Sequence, residues 1–114
     1  MRAAGLTLVL STAACATPDL YSWGRYEDSI AAMYATSSGY DPAAEVARLS
    51  QQVEETAHRG QRVPPGLRAH IGFLLIEAGN AERGVQYLRA EKEAFPESSV
   101  FVDGILARYH GNEP

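Results

Sequence analysis

A single cysteine, three histidines, one lysine and closely spaced acids such as Glu54-Glu55 and Glu91/Glu93 are the side chains through which this chain could do chemistry. Cys15 has no second thiol to pair with. The sequence therefore holds neither a disulfide framework nor a cysteine metal site. His58, His70 and His110 lack partners at metal-ligating helical spacing. The nearest approach is Glu54 four residues before His58, which reads as a surface contact. Ser37, Ser38, Ser98 and Ser99 fall in turn segments, where capping is their ordinary role. Lys92, flanked by Glu91 and Glu93 on a helix, reads as a solvated cation, and the pairs Glu54-Glu55 and Glu91/Glu93 read as exposed arcs. Nothing brings a base to a nucleophile, so no enzyme activity, cofactor or metal is expected.

The residues before Cys15 explain its position. Arg2 is a minimal positive start, Ala3 to Leu10 is apolar, and Ser11, Thr12, Ala13 and Ala14 are small, which is the layout of a secretory signal peptide over residues 1–14. The apolar run is too short to span a bilayer, which takes about 20 residues. An ordinary secretory signal ending near Cys15, giving a secreted periplasmic protein without lipid, and an uncleaved N-terminal anchor are the alternatives. The run Leu10-Ser-Thr-Ala-Ala-Cys15 resembles the processing site of bacterial lipoproteins, with Thr12 where such signals usually carry Leu or Val. That resemblance implies cleavage before Cys15 and acylation of both its sulfur and its new amino group. Three acyl chains on one residue make an effectively permanent membrane attachment. Lipoproteins retained in the inner membrane often carry Asp after the cysteine. Ala16 stands there, so the resemblance implies the outer membrane, with the domain on its periplasmic face. Residues 15–20 form a short tether that reaches at most about 3.3 to 3.6 Å per residue, holding the folded part within roughly 20 Å of the headgroups.

Without residues 1–14 the chain loses Arg2 and no acid, leaving 14 acidic against 9 basic residues and a net charge of minus five. The arginines, among them Arg48, Arg59, Arg62, Arg83, Arg89 and Arg108, are scattered rather than striped, which argues against a nucleic-acid partner. About a hundred residues make one domain, 21–110, followed by a tail, 111–114.

The periodicity beyond Cys15 is helical throughout, so the fold class is all-α. Tyr26, Ile30, Met33 and Tyr34 share one face of a first helix running from about Arg25 to Thr36. Asp41 before Pro42 opens a second, because the carboxylate accepts from free amides and proline fits the first turn. Its stripe is Val46, Leu49, Val53 and Ala57, and Gly60 stops it. Pro64-Pro65 opens a third helix with Leu67, Ile71, Leu74, Leu75 and Ala78 inward. Gly79-Asn80 turns into a fourth with Ala81, Gly84, Val85, Leu88 and Phe95, and Pro96 closes it. A fifth, capped by Ser98 or Ser99, buries Val102, Ile105, Leu106 and Tyr109.

The third and fourth helices carry a further pattern. Ile71-Gly72, Leu75, Gly84, Leu88 and Pro96 fall in register with the 34-residue tetratricopeptide repeat if it runs from Pro65 to Ser98, with Arg68 in place of the opening aromatic and Glu91 where the repeat prefers Ala. The resemblance implies a short array of antiparallel helix pairs in which Gly72 and Gly84 let two helices approach and Leu75 and Leu88 fill the contact. The fifth helix would be a cap with a polar outer face.

The lipoprotein-like start, Tyr21-Ser-Trp23-Gly-Arg-Tyr26, Val63-Pro-Pro-Gly-Leu67 and Gly79-Asn80 through Glu91-Lys-Glu-Ala-Phe-Pro-Glu-Ser98 together resemble an uncharacterised family of small outer-membrane lipoproteins. Genes of that family tend to lie beside a lipoprotein similar to the curli secretion channel. The resemblance implies an envelope accessory, an adaptor for another envelope protein or a purely structural subunit of an oligomeric complex, and supplies no catalytic residues. The candidate partner-binding residues are Ala69, Phe73, Ile76 and Glu77, facing the concave groove of the repeat, and the aromatic pair Tyr21 and Trp23. The groove is expected to lack lysine and arginine and so to suit an apolar or backbone-reading ligand. Tyr21, Trp23 and Tyr26 either meet a bilayer or partner or fold back as core, and the helical stripe through Tyr26 favours core.

Overall fold

The computed structural model describes residues 19–35 and 39–111. Cys15, the expected signal segment 1–14, the expected tether up to residue 18, Thr36, Ser37 and Ser38, and the expected tail from residue 112 lie outside the described residues. Among those described, five α-helices and no strand occur: α1 (Tyr26–Tyr34), α2 (Pro42–His58), α3 (Leu67–Glu77), α4 (Ala81–Ala94) and α5 (Ser99–Gly111), with a 3-10 turn, Pro96–Ser98, before the last. Neighbouring helices pack in antiparallel pairs, α3 and α4 most extensively.

Local chemistry sets the boundaries. The Asp41 side chain accepts from Ala43 N–H at 3.0 Å, starting α2 at Pro42. At the end of α3, Gly79 takes φ +86°, a conformation that costs glycine little, and Asn80 N–H donates to Leu75 C=O at 2.8 Å while Gly79 N–H donates to Ile76 C=O at 3.0 Å. Asn80 then caps α4 by accepting from Arg83 N–H. One two-residue turn thus closes α3 and opens α4.

The α3–α4 contact is close because two glycines face each other. A methyl group at Gly72 would lie 2.8 Å from the Gly84 carbonyl oxygen, and one at Gly84 would lie 2.7 Å from that of Gly72. No Cβ fits at either position without moving backbone. Two apolar clusters flank this seam. Val46 and Leu49 of α2 meet Leu67, Ile71, Leu74 and Leu75 of α3, with Val63 alongside; Ala69, Leu88 and Val102 join α3, α4 and α5. α3 contributes to both, so it is the spine of the domain.

Several details differ from the sequence reading. Thr56, 2 % exposed, is buried in α2 in place of the exposed Ala57, because α2 curves its burial onto Val46, Leu49, Ser50 and Thr56. Tyr34 ends α1 at 79 % exposure, while its neighbour Met33 takes the inward place against the core. Ala78 is exposed as the residue that turns α3 into its glycine. The outer face of α5 is not wholly polar: Val100 is 85 % exposed on the helix that also shows Asp103, because α5 spends Val102, Ile105 and Leu106 on its inner contacts.

Candidate functional site

Because successive helices alternate in direction, α1, α3 and α5 run side by side on one face of the domain, and a groove of about 590 Å3 lies between them. Ile30, Met33 and Tyr34 form one wall, Phe101, Ile105 and Tyr109 the other, and Ala69, Phe73 and Ile76 the floor. The lining is mainly apolar, with Glu77 and Arg108 the charged side chains. All four residues assigned to the groove from the sequence, Ala69, Phe73, Ile76 and Glu77, line it. Ala69 is itself buried, whereas Phe73 shows 36 % of its surface. The expectation that no arginine reaches the groove is corrected by Arg108, brought in by the last turns of α5, its Nε donating to Gly104 C=O.

Tyr21 and Trp23 lie elsewhere. Tyr21 packs edge-on against Phe95 at 6.2 Å and Trp23 at 6.1 Å, and Trp23 stacks on Tyr26 at 6.2 Å with ring planes 5° apart. The cluster folds back on the domain and still leaves Trp23 40 % exposed.

Beneath the groove sits a polar pair. Ser29 of α1 and His70 of α3, both buried, meet at 3.1 Å through Oγ and Nε2. The Tyr26 ring lies 5.9 Å from that of His70. Burial holds the His70 imidazole below its ordinary range. Burial, and then the Glu91 carboxylate, raises the Tyr26 phenol. This contact joins α1 to α3.

Glu91 corrects the reading of an exposed acidic pair. It is 1 % exposed, and Oε1 accepts from Gly66 N–H at 2.6 Å, placing a carboxylate at the N-terminus of α3, where the helix dipole favours negative charge. Its other oxygen is buried without a protein partner. The spacing Gly84, Leu88, Glu91, Phe95 is a helical stripe, and that stripe was the signal for its burial. Lys92 is likewise not simply solvated: it pairs with Asp103 of α5 at 2.6 Å. Among the described residues no group of three or more His, Cys, Asp or Glu lies close enough to hold a metal ion.

Residues 20–105, from Leu20 into α5, match the family described as Domain of unknown function (DUF4810). The chain belongs to the DUF4810 family. No curated protein and no solved structure matches the chain. The DUF4810 match takes in Tyr21, Trp23, the groove floor and the Ser29–His70 pair, and stops short of Arg108 and Tyr109 on the groove wall.

Proposed function

We propose that this protein is a lipid-anchored lipoprotein of the outer membrane, facing the periplasm, that serves as a protein–protein interaction adaptor or accessory subunit of an envelope or secretion assembly. The observation that carries the reading is the groove formed by α1, α3 and α5, whose apolar floor is reachable from solvent at Phe73. A tetratricopeptide-like arrangement supports it: Gly72 against Gly84 and Leu88 at the seam occupy the register of one repeat, and the odd-numbered helices of such arrays form the concave face. A segment with apolar side chains fits a floor of Ala69, Phe73 and Ile76, with Glu77 and Arg108 setting its direction by charge. The resemblance to small lipoproteins makes a curli-secretion-channel-like lipoprotein the first partner to test.

The test substitutes Phe73→Glu and Ile76→Glu and asks whether that lipoprotein still co-purifies from crosslinked envelopes. An adaptor loses its client while keeping its helical content. Undiminished recovery with a folded variant would remove the groove from the proposal. The second reading, a structural subunit that completes an oligomer, is favoured by one observation, the exposed Val100 and Phe101 on the terminal helix. It gains if Val100→Glu, and not Phe73→Glu, disperses the complex.

A further inference from the structure

We infer that the segment Leu20–Arg25 is a rigid foot that seats this end of the domain on the phospholipid surface, with Leu20 and Trp23 entering the boundary between headgroups and hydrocarbon. The inference rests on the acyl anchor at Cys15 proposed above and adds the face that meets the bilayer.

Four observations carry it. The segment is clamped rather than slack: Ser22 N–H donates to Arg62 C=O at 2.9 Å, Gln52 Nε2 donates to Trp23 C=O at 2.8 Å, and Arg25 N–H donates to Gln52 Oε1 at 3.0 Å. Two large apolar side chains are exposed here, Trp23 within the clamped stretch at 40 % and Leu20 two residues before its first bond at 62 %. Behind them the rings of Tyr21, Tyr26 and Phe95 form a wall, with the Arg62 guanidinium 5.3 Å over Tyr21. The described chain begins at Asp19, only four residues past Cys15, and covalent geometry allows that span at most about 14 Å.

An exposed tryptophan beside a leucine matches the headgroup level of a bilayer, since indole has an apolar body and one polar N–H. The weak intrinsic affinity of two side chains suffices, because the anchor already holds the surface at high effective concentration. The charges at the foot, Arg25 and Arg62 beside Asp19, form no cationic cluster, and screening leaves more distant charges little weight, so the occupant is a zwitterionic phospholipid interface read by its hydrocarbon. Arg62, arriving after α2, lies at the foot, so the helix axes rise from the membrane and the end of the groove near Glu77 and Arg108 points away from it. A partner would then enter from the periplasm.

Trp23 is the only tryptophan, so its fluorescence reports the foot alone. The acylated protein isolated from envelopes is placed in phosphatidylcholine or phosphatidylethanolamine vesicles containing lipids brominated near the headgroup. The expected result is emission at shorter wavelength and quenching by the bromines. Leu20→Glu should weaken that quenching several-fold with acylation and helical circular dichroism unchanged. Emission and quenching equal to those of unacylated Cys15→Ala protein free in solution would overturn the foot. Mass spectrometry of the same sample separates the two claims: an unmodified Cys15 refutes the anchor. Coupling that thiol to a maleimide phospholipid then lets the same quenching decide the foot.

Discussion

The Glu91 carboxylate of α4 receives the Gly66 N–H at the mouth of α3, 2.6 Å away, so one helix of the central pair caps the other. Glu91→Ala leaves that partly buried amide without its acceptor and removes a negative charge from a helix N-terminus. A loss of about 1–3 kcal/mol is expected, read from urea denaturation. Glu91→Gln keeps an acceptor and should lose less. A variant Glu91→Ala as stable as the parent would show that the unpartnered second oxygen already cancels the bond.

The glycine seam gives predictions of opposite sign within one helical domain. Gly72→Ala and Gly84→Ala each drive a methyl into the facing carbonyl oxygen, and should lower stability by about 1–3 kcal/mol despite the helix propensity gained. Gly104→Ala in α5 meets no atom within 4 Å. It should raise stability by roughly 0.5–1 kcal/mol. Thermal melts of the three variants check both directions.

His70 makes stability depend on acidity. Its folded pKa lies below 6.5, the ordinary value, because burial penalises the imidazolium. The unfolded chain therefore binds the proton more readily. Stability is complete above about pH 6.5 and declines as pH falls through that value, until the folded imidazole also protonates. Urea midpoints measured on either side of that pH should differ more for the parent than for His70→Gln, which cannot take up the proton. Equal pH dependence in both would assign the effect to another group.

Lys92 and Asp103 join α4 to α5 at the surface, with the lysine side chain 35 % and the aspartate 56 % exposed. Water and salt screen such a pair, so Lys92→Ala should cost less than about 1 kcal/mol, and added salt should shrink the difference further. Chemical denaturation at low and high ionic strength measures it.

The punctuation of the fold was legible in the sequence. Asp41-Pro42, Gly79-Asn80 and Pro96 mark helix ends because each changes which backbone groups find partners, a local matter. The Gly72–Gly84 approach was also visible, since small residues at those spacings serve only a close seam. Glu91 was misread despite its place on the Gly84, Leu88 and Phe95 stripe, because the amide that takes up its carboxylate, Gly66 N–H, lies 25 residues away. Thr56 against Ala57 shows the same limit: one step along a helix turns burial by about 100°, and the neighbouring helix chooses between them. α3 is apolar on nearly every side, so its pattern could not say which residues face α2, α4 or the groove. The four α3 residues assigned to the groove came instead from register with a repeat. The Ser29–His70 pair had no sequence signal, because it joins helices 41 residues apart.

The lipid tether is the claim on which location, orientation and access of the groove depend, and labelled palmitate tests it directly. Cells expressing the parent chain should incorporate label into a protein that sediments with outer membranes and whose mature N-terminus is acylated Cys15. Cys15→Ala should lose the label and leave the membrane fraction. Label and fractionation unchanged by that substitution would contradict the account.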